Sequence, residues 1–292
     1  MSARSPAIEQ ARLRAGRARD AALLRWRLRD ADDRPLPDFV ILGAQKAGTS
    51  SLYARLAAHP HVVPALRKEV HWFDDPGADA DPSDRHYRAF FPTAAERVAV
   101  GNADGGTART GEATPYYLVH PGAPSRAARA APDAKLIVVL RDPIARAVSG
   151  YHHAVRFGHE HRPIEVALDP RFEEPAGAPD DVEWWDDQQS PARLRGYLAR
   201  GRYAEQLARW WEHFPRARTL VLETPSLRGD DGITRACEFL DLGGPPPARP
   251  PDRNVGSYAA PPDSLVERLR DHFAPFDAQL TELLGARPGW IR

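Results

Sequence analysis

The chain has 292 residues and a mass of 32.4 kDa, enough for one large α/β domain or two ordinary domains with a substantial core. Its 40 Lys and Arg balance its 40 Asp and Glu, and this formal net charge of +0 argues against a general nucleic-acid-binding protein. The single cysteine, Cys237, excludes an intramolecular disulfide and a cysteine-based zinc site, and no run of about 18 apolar residues could span a membrane. These features are typical of a protein of a reducing cytoplasm.

Residues 1–34 are rich in Arg and Ala and predict an N-terminal helical extension ahead of a folded domain at 35–292. Leu24 and Leu28 recur at a spacing compatible with one helical face. The eight arginines of residues 3–30 suit either docking on an anionic surface or a solvated helix packed at the edge of the domain. We favour the solvated helix.

A strand, a glycine loop and a helix are predicted at the start of the domain. Residues 39–42 form a short apolar run typical of a buried strand, and a helical pattern runs from Thr49 to Leu56. The residues between them, 43–48, bring backbone N–H groups to a helix N-terminus, which predicts an anion site. The loop is not a Walker A loop, because Thr49 stands where that motif has its lysine and Lys46 comes earlier. A lysine in mid-loop suits a group shorter than a triphosphate, and a glycine turn with a solvent-facing lysine is the alternative.

Four further apolar runs predict strands, and helical patterns fill the C-terminal part. The strands are predicted at residues 62–63, 98–100, 136–140 and 219–222, and the helices at residues 197–214, 232–240 and 264–284. This alternation indicates an α/β fold with a central parallel sheet flanked by helices, in which ligands bind beyond the carboxyl ends of the strands. Residues 169–193 contain Pro, Gly and eight acidic side chains and are predicted to form a lid insertion.

A second anion site is predicted where the strand at 136–140 ends. Arg141 follows the strand directly and Ser149 lies on the next helix, so the two side chains can hold a second phosphate. Asp142 is alternatively a Walker B magnesium ligand, but Arg141 intervenes and no Walker A lysine is present. We therefore favour the phosphate clamp.

Together these features resemble the sulfotransferases that use 3′-phosphoadenosine 5′-phosphosulfate (PAPS), above all the branch that includes the heparan sulfate sulfotransferases and their bacterial relatives. Residues 68–74, Lys-Glu-Val-His-Trp-Phe-Asp, are similar to the Lys-Glu-x-His-x-Phe segment of that branch. Residues 112–117, Glu-Ala-Thr-Pro-Tyr-Tyr, are similar to its acidic-x-Ser/Thr-Pro-x-Tyr segment. The resemblance covers about residues 37–285 and implies a three-layer, P-loop-like α/β fold.

The resemblance also implies PAPS as the sulfuryl donor and a reaction that requires no metal. It implies Glu69 as the base that takes the proton of the acceptor, Lys46 as the group that stabilises the leaving phosphate, and Lys68 as a neighbour of the sulfuryl group. His71 is a rival base, because an unperturbed imidazole titrates near neutrality. The residues implied to bind the donor are Lys46, Ala47, Gly48, Thr49, Ser50 and Ser51 at its 5′ end, and Arg141, Ser149 and Arg253 at its 3′-phosphate.

The acceptor is predicted to be a small molecule, a glycolipid or a carbohydrate that offers a hydroxyl or an amine. The acidic residues at 169–193 favour a neutral or cationic acceptor, such as a secondary metabolite or a nucleoside, over a glycan polyanion. Trp184 and Trp185 are expected either to stack on the acceptor or to seat the lid, and His152 and His153 either to face the acceptor or to lie on a helix surface. Two other classes stay open, a P-loop kinase that needs magnesium and an inactive nucleotide-binding protein, and the oligomeric state is not indicated.

Overall fold

The computed structural model describes residues 6–101, 107–172, 181–248 and 260–291. Within these ranges five strands form one parallel sheet in the order β2-β3-β1-β4-β5. The strands are β1 (Phe39–Gly43), β2 (Val62–Pro64), β3 (Arg109–Ala113), β4 (Lys135–Leu140) and β5 (Thr219–Glu223). The predicted α/β fold with a central parallel sheet flanked by helices is confirmed.

Helices connect the strands and flank the sheet. The described helices are α1 (Pro6–Arg27), α2 (Thr49–Leu56), α3 (Gly77–Ala80), α4 (Arg85–Arg88), α5 (Ala94–Gly101), α6 (Ala123–Ala130), α7 (Pro143–Arg156), α8 (Ile164–Ala167), α9 (Val182–Asp186), α10 (Pro191–Arg195), α11 (Tyr203–His213), α12 (Asp231–Phe239) and α13 (Asp263–Leu284). None of the helices in the described ranges combines the length and the hydropathy that a membrane crossing requires.

The N-terminal extension is helical and its end packs against the domain. After α1 the chain continues as a 3₁₀ helix, Leu28–Asp33, and Arg85 of α4 donates to the Leu28 carbonyl at 2.9 Å. Arg34 is buried and donates to the Phe91 carbonyl at 2.6 Å. The division of the chain at residue 34 stays a prediction.

The core of the sheet consists of continuous apolar strands. Every residue of β1 is buried, as are the last five residues of β4, which is the pattern of strands covered on both faces. Leu52 of α2, Trp210 of α11 and Ile233 of α12 are buried in the same cluster. The sheet therefore forms a rigid base for the loops at its edges.

The prediction of a strand at 98–100 is wrong, because these residues lie in α5. Thr93 and Glu96 form a capping box at its start, with Thr93 N to Glu96 Oε2 at 2.6 Å and Glu96 N to Thr93 Oγ1 at 3.1 Å. Val98 and Val100 are 44% and 41% exposed, so this short apolar run does not belong to a buried strand. The capping box was the stronger local signal.

Strand β3 takes the place that residues 98–100 were expected to fill. Its sequence, Arg-Thr-Gly-Glu-Ala, has no apolar run, yet its last four residues are buried. Glu112 is buried because it accepts hydrogen bonds from Tyr87 at 3.1 Å, Tyr117 at 2.9 Å and Thr114 at 2.6 Å. Burial of a polar strand that depends on side-chain hydrogen bonds leaves no apolar pattern in the local sequence.

The C-terminal helices lie close to their predicted positions, with one exception. Helices α12 and α13 begin and end within one residue of the predicted bounds, whereas α11 begins only at Tyr203. Gly201 packs so closely on Phe273 that an added Cβ would lie 2.7 Å from a ring carbon. The predicted lid at 169–193 contains α9 and α10, and its residues 173–180 lie outside the described ranges.

Candidate active site

The loop after β1 is the first part of the site, and its shape is fixed by its glycines. An added Cβ on Gly43 would lie 2.7 Å from Leu118 Cβ, so only glycine permits this close approach. Gly48 has φ of 103° and precedes the first residue of α2, Thr49, which is buried. Ser50 and Ser51 follow on the first turn and are exposed, and Ala47 is buried. The predicted strand, loop and helix are present, with the N–H groups at the start of α2 free of a side-chain cap.

The loop is held at its back by the ends of β4 and β5. Arg141 Nη1 donates to the Lys46 carbonyl at 2.9 Å. Thr224 Oγ1 donates to the Ala47 carbonyl at 2.7 Å and lies 3.1 Å from the Leu140 carbonyl. Because β1, β4 and β5 are parallel, their carboxyl ends meet at one edge, and the loop is preorganised there.

Lys46 directs its ammonium group into this edge. Its backbone has φ of 70°, a left-handed conformation that is uncommon for a side-chain-bearing residue. Burial, followed by the charges of Arg141 and Arg156, lowers the pKa of Lys46, and the charge of Glu69 opposes that shift. Nζ lies 3.4 Å from His153 Nδ1.

This contact places His153 in the site, whereas the sequence left open whether His153 faces the site or lies on a helix surface. Burial, with the charge of Lys46 as the next cause, lowers the pKa of His153 to about 4. The imidazole is therefore neutral at pH 7 and its Nδ1 can accept from the Lys46 ammonium. Its neighbour His152 has no described contact with Lys46.

Residues 68–74 form the second part of the site and bring a carboxylate beside an imidazole. Glu69 and His71 both have left-handed backbones, with φ of 61° and 59°, and Glu69 N donates to the Ala113 carbonyl at 3.0 Å. Lys68 Nζ forms an ion pair with Glu69. His71 Nε2 lies 3.8 Å from Glu69 Oε2, and its Nδ1 lies 2.8 Å from Asp74 Oδ2.

These contacts set the charge states of Glu69 and His71. Burial alone would raise the pKa of Glu69, but the nearby imidazolium of His71 and the charge of Lys68 lower it to about 2. Burial alone would lower the pKa of His71, but the hydrogen bond to Asp74 and the nearby carboxylate of Glu69 raise it to about 9. At neutral pH Glu69 is ionised and His71 is an imidazolium with no lone pair for a further proton, which favours Glu69 as the proton acceptor.

Because His71 is paired with Asp74, we expect the free energy of unfolding to fall as the pH rises above neutrality. The folded pKa of His71 is raised from 6.5 to about 9, so its stabilisation is fully present below pH 6.5 and is lost as the pH rises through 9. We expect the difference in free energy of unfolding between wild type and His71→Asn to shrink between pH 6 and pH 10, measured by urea unfolding. His213→Asn, at an exposed position on α11, is the control with a constant difference, and a constant difference for His71→Asn would contradict the account.

The segment 181–195 packs on the site instead of standing away from it. Trp185 is buried with its ring centroid 6.1 Å from that of Tyr116, so it seats the segment, and Trp184 is half-buried beside it. Arg193 Nη2 donates to Asp74 Oδ2 at 2.7 Å. The segment is therefore connected to residues 68–74.

Some of the eight acidic side chains of residues 169–193 are neutralised by ion pairs with arginines. Asp169 is buried and pairs with Arg171 at 2.7 Å, and Asp186 pairs with Arg126 at 2.8 Å. Three others, Glu173, Glu174 and Asp180, lie outside the described residues. Asp181, Glu183 and Asp187 are exposed, and the preference for a neutral or cationic acceptor now rests on these three.

The remaining predicted donor-binding residues are Arg141, Ser149 and Arg253. Ser149 is buried on α7, two turns after Arg141, and Arg253 lies outside the described residues. Arg146, on the same helix, is fully buried, and its Nε and Nη1 have no partner within the described residues. Burial lowers the pKa of Arg146 to about 10, which still leaves it charged at neutral pH. Cationic side chains and helix-start N–H groups are the donor set that a phosphate or phosphosulfate requires, so the residues present fit such a group.

Comparisons with known proteins show which proteins this chain is similar to. A model of the sulfotransferase domain matches residues 115–245, which include Arg141 and Ser149. The solved structure of a sulfotransferase from Alicyclobacillus acidocaldarius has a TM-score of 0.64 and 29% identity to the chain, over 88% of this chain and 100% of that one. The chain is therefore similar to sulfotransferases over most of its length.

The curated proteins that the chain is similar to include heparan sulfate enzymes. The human heparan sulfate glucosamine 3-O-sulfotransferase 3A1 is 28% identical over 290 residues, and the human heparan sulfate glucosamine 3-O-sulfotransferase 6 is 29% identical over 295 residues. The matches cover 90% and 88% of this chain, but only 64% and 74% of the respective relatives. The chain thus spans less than two thirds of the first relative.

Three contacting residues of the site carried no predicted role in the sequence. They are Asp74, Arg193 and Arg200. The spacing of His71 and Asp74, three residues apart in a segment already singled out, was the one available signal. Arg193 and Arg200 are two of 37 arginines, and nothing in the sequence distinguishes them.

Proposed function

We propose that this protein is a PAPS-dependent sulfotransferase that transfers a sulfuryl group to a hydroxyl or amine of a carbohydrate or small molecule. The observation that supports this most is that an ionised carboxylate, Glu69, and an ammonium group, Lys46, interact electrostatically at the mouth of one phosphate-type loop. Sulfuryl transfer needs these two charges on opposite sides of the reacting sulfur. A kinase would need a lysine after Gly48, where this chain has Thr49.

The donor would be held by two groups of residues. The loop amides of Ala47 and Gly48 and the hydroxyls of Thr49, Ser50 and Ser51 suit the 5′-phosphosulfate, because they surround the start of α2. Arg141, Ser149 and Arg253 are proposed for the 3′-phosphate. The donor supplies the activated sulfuryl group, and these residues bind and orient it without a metal.

The chain's own residues then manage the proton and the developing charge. A carboxylate oxygen of Glu69 takes the proton of the acceptor hydroxyl or amine as the acceptor atom forms its bond to sulfur. Lys46 Nζ neutralises the charge on the phosphate oxygen whose bond to sulfur breaks. Lys68, paired with Glu69, is proposed to contact the sulfuryl oxygens, and His71 to hold Glu69 in place. His71 is thus an orienting residue in this proposal and not the base.

The acceptor is proposed to be a carbohydrate or a small molecule. The curated relatives are named for heparan sulfate, and the paired state of Asp169 and Asp186 removes an obstacle to such an acceptor. A secondary metabolite is an alternative within the same chemistry. The cytoplasmic location that the single cysteine favours stays a prediction.

A transfer assay with PAPS radiolabelled in its sulfur tests the proposed function. The acceptors are heparan-derived oligosaccharides in one panel and uncharged alcohols and amines in the other, with EDTA or Mg²⁺ present. We expect labelled product from at least one panel in both conditions. Phosphoryl transfer from ATP that depends on Mg²⁺, with no transfer from PAPS, would contradict the proposal.

A further inference from the structure

Arg193 connects the segment 181–195 to the imidazole beside Glu69 through one buried oxygen atom. Its Nη2 lies 2.7 Å from Asp74 Oδ2, and the same oxygen lies 2.8 Å from His71 Nδ1. Asp74 is fully buried, and its other oxygen, Oδ1, has no partner within the described residues. Two cations therefore share one carboxylate oxygen in a place that water does not reach.

Both the side chain and the backbone of Arg193 make further contacts that hold the residue in place. Its carbon Cζ lies 4.3 Å from the centroid of the Tyr116 ring, a cation–π distance. Its backbone N–H donates to Ser190 Oγ at 3.2 Å, which caps α10, and its carbonyl accepts from Arg200 Nη2. Arg200 Nη1 in turn donates to Gln45, next to Lys46 in the loop. The side chain that reaches Asp74 is thus anchored to both parts of the site.

We propose that Arg193 is a positioning residue of this site: by sharing Asp74 Oδ2 with His71, it sets the place and the charge state of the imidazole beside Glu69. The effect of Arg193 on catalysis rests on the proposed function. The contacts among Arg193, Asp74 and His71 do not depend on which acceptor is used. A buried carboxylate oxygen that accepts from two cationic partners divides its negative charge between them, so each partner is stabilised less than it would be alone.

The charge balance around Asp74 gives the direction of the effect. Burial opposes ionisation of Asp74, but the hydrogen bond and charge of His71, followed by the charge of Arg193, lower the pKa of Asp74. Arg193 also acts against the charge on His71, because it is a second cation on the same oxygen. The other titratable or charged groups near Asp74, His71 and Glu69 are Lys46, Lys68, Glu112, His120, His153, Asp186 and Arg200. None of them contacts Asp74 Oδ2 within the described residues.

The test is the titration of His71, followed by NMR of protein labelled in its histidine rings, in wild type and in Arg193→Met. Removal of the competing cation should raise the titration midpoint of His71 by about one pH unit. Arg193→Lys keeps the charge and should leave the midpoint near that of the wild type, and Arg235→Met, an exposed arginine of α12, should leave it unchanged. His71→Asn identifies the resonance.

An unchanged midpoint in Arg193→Met would overturn the proposal, because Arg193 would then be only a packing residue. A fall toward the ordinary value would overturn the sharing arrangement, because Asp74 would no longer reach His71. Binding of adenosine 3′,5′-bisphosphate, measured on the same samples, should stay within about twofold of wild type, since Arg193 contacts none of the proposed donor-binding residues that the structure describes. Failure of the wild-type protein to bind the bisphosphate would instead count against the proposed function. A thermal melt of each variant establishes that the variant is folded.

Discussion

Replacing Glu69 by Gln is expected to lower kcat by about 10²–10⁴-fold, the usual contribution of a general base. Gln keeps the size of the side chain but cannot take the proton of the acceptor. The measurement is the transfer of labelled sulfur from PAPS to the acceptor found in the assay above. Affinity for adenosine 3′,5′-bisphosphate should stay within about twofold, because Glu69 is assigned to the acceptor side.

The matched control for this variant is Glu238→Gln, at an exposed position on α12 away from the site. It should transfer sulfur at the wild-type rate. If Glu69→Gln retained most of its kcat, the proton would have to go elsewhere. The raised pKa of His71, about 9, makes that residue a poor substitute at neutral pH.

Replacing Lys46 by Met is expected to lower kcat by about 10²–10³-fold, as the loss of one preorganised donor to a developing negative charge does in other enzymes. The ammonium group stands at the loop that would hold the 5′-phosphosulfate, and its lowered pKa reflects burial among other cations. Lys46→Arg should recover little, because a planar guanidinium does not replace a compact point charge in a half-buried position. Steady-state rates with saturating PAPS measure the effect.

Lys135→Met is the control for Lys46. Lys135 begins β4 at the opposite end of the sheet, where its Nζ contacts the Phe239 carbonyl and Asp241 at 2.6 Å each. Its loss should affect stability more than kcat. Equal rates for the two variants would show that Lys46 has no role in the chemical step.

The sequence was sufficient to predict the sheet and the loop because those signals are local. The apolar runs of β1 and β4 and the glycines of the loop depend on their own neighbours in the chain, and they lie where they were expected. The resemblance added Glu69 and His71 from a short segment with distinctive spacing. Both kinds of signal are readable without knowledge of what packs against them.

Where prediction from sequence failed, the decisive contacts join residues far apart in the chain. Strand β3 is polar by composition, and one donor to its buried Glu112 is Tyr87, 25 positions away. Arg193 reaches Asp74 from 119 positions away, and His153 reaches Lys46 from 107. Tertiary proximity of this kind decides charge states in the site, and a single sequence does not contain it.

Equilibrium binding of adenosine 3′,5′-bisphosphate in the presence of EDTA tests the central claim, that this edge of the sheet is a metal-independent PAPS site. At a hundredfold excess over its Kd the ligand should raise the free energy of unfolding by about 2.7 kcal/mol, visible as an increase in Tm. The increase should be smaller in Arg141→Ala, because that variant loses a proposed contact to the 3′-phosphate. Stabilisation by ATP with Mg²⁺ and none by the bisphosphate would contradict the account.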